Sequence, residues 1–289
     1  MTNHAHRRRG FTLIELLVGM IISAIIGAAM VRVITNQTRF MDTQEAWRTA
    51  RGVSRGSLNR LLSDFRMVEA TGGLEAAAAG GKDFTVRVPY AFGVVCSSTG
   101  TATTASLLPV DSTMFAGAGF SGFAVRRNTG AYSYVTAGAT LTSPGTASNC
   151  TGASITTLPA ISGSPAGTVV NLGGTISPAP VAGDLVFLFR RVRYEFKASV
   201  AVPGRTGLWR TLLGPNTTEE LAAPFDTTAR VRFYVLYATV AQTAVPSPLS
   251  DTRGFEFVLD GMSEATPRGS TRPKVSSVTT SVFFQNRPD

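Results

Sequence analysis

The chain has 289 residues, with 27 Lys and Arg against 18 Asp and Glu, two His and two Cys. Charged residues make up 16% and hydrophobic ones 44%, a balance that can fill a core and that excludes intrinsic disorder. Both histidines, His4 and His6, lie in the first ten residues. Any form lacking that segment has no His triad, His zinc site or His general base.

The first ten residues also hold three Arg and no acid, and the rest of the basic charge is dispersed. Positions 32–70 carry seven basic and four acidic groups, 71–180 four and three, and 181–289 thirteen and ten. No run of five or six like charges occurs, so a nucleic-acid partner has only scattered Arg in its favour. A solvated basic surface accounts for the pI of 10.2.

From Phe11 to Val31 the chain is apolar with one charge, Glu15. At 1.5 Å per residue that run spans roughly 30 Å, the thickness of a bilayer core. A secretory signal would be shorter and end in a small-x-small cleavage site. A plain anchor has no use for a carboxylate, whose insertion costs about 2–3 kcal/mol. The stretch Arg7-Arg8-Arg9-Gly10-Phe11-Thr12-Leu13-Ile14-Glu15 resembles the prepilin cleavage and methylation motif of type IV pilins and pseudopilins.

That resemblance implies a pilin-like α+β fold, with a long N-terminal helix packed on an antiparallel sheet. It implies a leader at 1–10 that prepilin peptidase removes between Gly10 and Phe11, followed by N-methylation of Phe11. It makes 11–31 a single-pass inner-membrane or filament-core helix with the head in the periplasm, and Glu15 an assembly residue that pairs with the amine of a neighbouring subunit. The implied partners are prepilin peptidase, other minor and major pilins and an inner-membrane assembly platform. Many major pilins carry a proline in this helix. Here the first proline is Pro89, so the anchor is expected to be straighter, which points to a minor subunit. Gly19, Ser23 and Gly27 recur every four residues and offer a face for close helix packing, although such triplets are also ordinary anchor composition.

Positions 32–70 read as the amphipathic continuation of the helix. Phe40, Trp47, Leu58, Leu61, Leu62, Phe65 and Val68 form the expected core face. Gly52 and Gly56 allow a bend, and Thr71-Gly72-Gly73 is expected to close the helix with a left-handed glycine cap at about residue 68.

Positions 71–180 hold seven charges and read as short strands and long loops, with one strand at Phe84–Val88. Cys96 and Cys150 fall here, 54 positions apart. Two thiols in an exported domain pair more often than they stay free, and two Cys without His are too few for a metal.

From 181 onward an antiparallel sheet of about four strands is expected. Val192, Tyr194 and Phe196 alternate with charges, and a Pro203-Gly204 turn leads to Leu208-Trp209 as a hairpin. Val231 to Tyr237, Phe255 to Leu259 and Val278 to Phe284 follow. The order of these elements is similar to PilW-type minor pilins and J-class pseudopilins of type II secretion.

No phosphate loop is present, since Gly80-Gly81-Lys82 lacks the first glycine and the Ser or Thr. The carboxylates Asp184, Glu195 and Glu256 share no motif. The expected role is therefore structural rather than enzymatic, without cofactor or metal: a minor pilin that initiates or caps a type IV pilus. A type II secretion pseudopilin and a tip adhesin or DNA-binding subunit are the alternatives.

Overall fold

The computed structural model describes residues 12–113, 115, 119–127, 129–150, 158 and 166–284. One helix, α1 (Leu13–Phe65), precedes all the strands. Its 53 residues reach about 80 Å at 1.5 Å per residue. With no proline to remove a donor, it runs unbroken through Gly52 and Gly56. Its threonines are satisfied within the helix: Thr35 and Thr38 donate to the carbonyls of Val31 and Ile34, at 2.7 and 2.9 Å.

The strands are β1 (Leu74–Ala77), β2 (Asp83–Ser98), β3 (Ala102–Leu107), β4 (Gly122–Arg126), β5 (Tyr132–Val135), β6 (Thr140–Thr142) and β7 (Val169–Gly173). They continue with β8 (Leu185–Ala198), β9 (Thr206–Leu212), β10 (Thr217–Phe225), β11 (Arg230–Val235), β12 (Thr252–Met262) and β13 (Val275–Phe283). All thirteen join one antiparallel sheet in the order β11-β12-β10-β9-β8-β2-β3-β7-β6. Off that path, β1 pairs with β2, β13 with β12, β4 with β8 and β5 with β4. A long helix on a large antiparallel sheet is the expected α+β, pilin-like architecture.

Two cores divide the sheet. One lies between the second half of α1 and strands β2, β8 and β10–β12, centred on Phe65. The Phe65 ring meets Phe255 and Phe257 edge-on, each at 4.9 Å, and Phe84 at 5.7 Å. The other, built from Ala91, Val95, Leu107, Phe123, Val170, Leu188 and neighbours, fills the far half of the sheet without α1.

Several expectations need correction. The helix closes at Phe65 rather than 68. Arg66 keeps right-handed geometry, and three-residue hydrogen bonds from Met67 to Asp64 and from Val68 to Phe65 tighten the last turn. Thr71-Gly72-Gly73 instead forms the turn into β1. The buried face of α1 begins with small residues, Ala46, Ala50, Ser54 and Ser57, before Leu61 and Phe65. Phe40 is 64% exposed, and Trp47, Leu58 and Leu62 are half-buried flanks.

Strand β2 is sixteen residues long rather than a short run at 84–88. A register shift at Pro89–Ala91 reverses its facing, so Phe84, Val86 and Val88 serve the first core and Ala91 and Val95 the second. That bulge breaks the period-two pattern by which a strand is read. Among the described residues, 181–284 hold six strands, not four. Tyr237 lies beyond β11, at φ +65 and 90% exposed.

Candidate assembly interface

The site is built on the first turn of α1. Thr12 is the N-cap, with extended backbone, and its hydroxyl accepts from the Glu15 amide at 3.3 Å. The Glu15 carboxylate returns the contact, its Oε2 accepting from the Thr12 N–H and from the Thr12 hydroxyl, both at 2.9 Å. This reciprocal capping box satisfies donors that the start of a helix leaves orphaned and folds the carboxylate back over the N-terminal end. A negative charge there also meets the positive end of the helix dipole. Glu15 thus has a local partner, which the sequence reading did not assign. The signal was present in Thr12-Leu13-Ile14-Glu15, since a Thr followed three residues later by Glu ahead of an apolar run is the capping-box pattern. Gly10 and Phe11 lie outside the described residues.

Beyond this cap α1 presents only exposed side chains until Thr38. Leu13, Ile14, Met20, Ile25, Met30 and Val31 are each more than 60% exposed. The most apolar 18-residue window has a mean hydropathy of 2.4 and no buried residue. Such a helix needs lipid or neighbouring helices around it. Gly19 and Gly27 have open space where a Cβ would sit, and Ser23 is exposed with them. Among the described residues, none therefore covers that face.

The helix is riveted to the head through polar groups. The Tyr194 hydroxyl donates to Asp64 Oδ2, and Arg210 Nη2 and Nε approach the same oxygen at 3.1 and 3.2 Å. Burial, then the Asp64 charge, push the Tyr194 phenol well above its ordinary range. Farther along α1, Ser54 Oγ lies 2.8 Å from the Ser276 carbonyl and accepts the Gly261 amide at 3.0 Å. A Cβ on Gly261 would fall 2.4 Å from Ser54 Oγ and 2.5 Å from the Ala50 carbonyl, so only glycine permits this approach of helix and strand. The four-residue spacing of Ala46, Ala50 and Ser54 was the available signal.

Cys96 and Cys150 are joined, with an S–S distance of 2.09 Å and Cα atoms 4.9 Å apart. The scattered carboxylates do not converge, and each is engaged structurally. Asp184 accepts the Val181 amide at 3.0 Å, Glu195 bridges Arg193 and Lys197, and Glu256 pairs with Arg232 at 2.7 Å. Among the described residues, no group of three or more His, Cys, Asp or Glu is placed to hold a metal ion.

The family model of the prokaryotic N-terminal methylation motif matches residues 5–31, which cover the basic leader, Glu15 and the apolar segment of α1. No curated protein and no solved structure matches the chain. With that motif on a long apolar helix, the chain is type IV pilin- or pseudopilin-like. The motif implies a structural subunit, processed by a prepilin peptidase, anchored in a membrane and assembled with other pilins.

Proposed function

We propose that the protein is a minor pilin of the inner membrane, its head in the periplasm, that joins other pilins to initiate or cap a type IV pilus. The carrying observation is the methylation motif on a helix that continues without proline or break into the head. An unbroken helix carries the head at a fixed height above the membrane. Only the far end of α1 is used for the fold, which leaves positions 13–37 for neighbouring helices.

In this reading the leader is cut between Gly10 and Phe11, Phe11 is methylated, and Glu15 meets the amine of an adjacent subunit. Mass spectrometry of the membrane form is expected to find a chain starting at methylated Phe11, with Gly10→Val retained as full-length precursor. Deleting the gene is expected to abolish surface pili while leaving secretion of folded enzymes intact. The converse result would assign the chain to a type II secretion system.

A further inference from the structure

The connection 263–274 between β12 and β13 is a built tongue lying along α1. Its neck is pinched by the Ser263 amide donating to the Lys274 carbonyl at 2.9 Å and the Lys274 amide donating to Ser263 Oγ at 3.0 Å. Its tip is a turn closed by the Ser270 amide on the Pro267 carbonyl at 3.0 Å, with Gly269 at φ +79. Pro267 is buried, and Arg268 reaches Asp42 on the helix at 3.6 Å. A shallow cavity lined by Ile34, Thr35, Thr38, Arg39, Arg268 and Gly269 marks where the tip rests.

That position fixes its height. The apolar run ends at Val31, and at 1.5 Å per residue Ile34 and Arg39 stand roughly 5 and 12 Å beyond it. The headgroup layer of a bilayer extends about 5–7 Å past the hydrocarbon on each side. The tip therefore reaches from the headgroup layer to about 5 Å above it, within the length of an arginine side chain, beside the point where the helix leaves the bilayer.

The charges are sorted along this axis. Arg32 and Arg39 are nearest the membrane and exposed; Arg268, its side chain 77% exposed, stands between Arg39 and Asp42, and Arg272 is also exposed on the tongue. The acids of the same region, Asp42, Glu45 and Glu264, line the cavity at the neck. Asp42 and Glu45 lie about 17 and 21 Å past Val31. At physiological salt they are more than a Debye length of about 8 Å from lipid phosphates, and Asp42, which touches the tip, meets Arg268 only through an exposed 3.6 Å contact that a phosphate can replace.

We propose, resting on the reading of 13–31 as a membrane span, that Arg32, Arg39, Arg268 and Arg272 form a collar that binds the phosphate headgroups of anionic phospholipids in the bilayer holding α1. The lipid contact would hold helix and head upright in the bilayer and fix their rotation before assembly. Each Arg near the surface adds about fivefold to the local preference for anionic lipid.

The full chain with a spin label on Thr271→Cys is to be reconstituted in vesicles of phosphatidylcholine alone, and of phosphatidylcholine and phosphatidylglycerol in equal parts. The label is expected to be immobilised only with phosphatidylglycerol and released by high salt on the otherwise unaltered chain. Arg268→Gln is expected to lower the immobilised-to-mobile ratio about fivefold. Equal mobility in both vesicles would overturn the collar, as would mobility that follows protein density rather than lipid charge, which would mark a second copy as the occupant. Failure of the chain to float with either vesicle would instead overturn the membrane span, and the collar with it.

Discussion

At the level of single residues, Glu15 carries the most specific expectation. Its carboxylate is exposed yet locally held, with two hydrogen bonds from Thr12 that organise the first turn of α1. In a bilayer or filament core, such bonds lower the cost of a lone carboxylate without neutralising it. A neighbouring amine can then replace them, and desolvation makes such a pair better at setting register than at adding stability. Glu15→Ala is expected to insert and lose its leader normally but fail to co-purify with partner pilins, while Glu15→Asp retains part of the interaction. Thr12→Val removes the hydroxyl and keeps the charge, at a cost of about 1 kcal/mol for the cap. It is expected to weaken co-purification without abolishing it. Equal loss in both variants would mean that the cap, and not the charge, is what assembly needs.

Among the elements, the seam between α1 and β12 is where helix and head are closest, and it depends on absent side chains. Gly261→Ala is expected to lower head stability by about 1–3 kcal/mol, because the new methyl meets the Ala50 carbonyl and Ser54 Oγ and rigid backbone has to move. Ser54→Ala is expected to cost about 1–3 kcal/mol by orphaning the buried Gly261 amide; thermal unfolding of the purified chain in detergent measures both. The disulfide is a second device of this scale. By the chain-entropy argument its 54-residue separation is worth about 4 kcal/mol, and Cys96→Ala with Cys150→Ala is expected to loosen the far core around Val169 before the α1 core. These elements also mark what the sequence could reveal. Strand β8 was legible because Val192, Tyr194 and Phe196 alternate with charges over a half-solvated face. Strand β2 was not, since it serves two cores and reverses its facing at Pro89. The helix face is not legible from large apolar residues, because Ala and Ser make much of its contact. The methylation motif was legible because it is contiguous in the chain, whereas the tongue and the Ser54–Gly261 contact depend on residues about 200 positions apart.

For the whole molecule, the question is how force passes between a rod in a membrane or filament and a broad head. Asp64 on α1 holds Tyr194 of β8 and Arg210 of β9 together at the centre of the sheet, so the rod meets the head through a polar node beside the Phe65 cluster, in addition to the Ser54 contact. This node has a pH signature. Burial first, and then Asp64, raise the Tyr194 phenol above its ordinary value of 10.0. Burial also pushes Tyr90 up to about 12 and raises Tyr134. A raised folded-state value means that the folded chain keeps a proton which the unfolded chain releases. The stability from these phenols is fully present below pH 10 and is lost as pH climbs through the folded values. Unfolding free energy is therefore expected to be unaffected by them near neutrality and to fall above pH 10, with each retained proton adding about 1.4 kcal/mol per pH unit to the slope. Tyr194→Phe keeps the ring in its cluster but removes a donor from Asp64, so it is expected to cost about 1–3 kcal/mol at neutral pH. It is also expected to reduce the alkaline slope by one proton. Denaturant unfolding of the full chain from pH 7 to 11 separates these effects. An unchanged alkaline slope in the variant would show that Tyr194 ionises without disturbing the junction, and that apolar packing around Phe65 carries the load between rod and head.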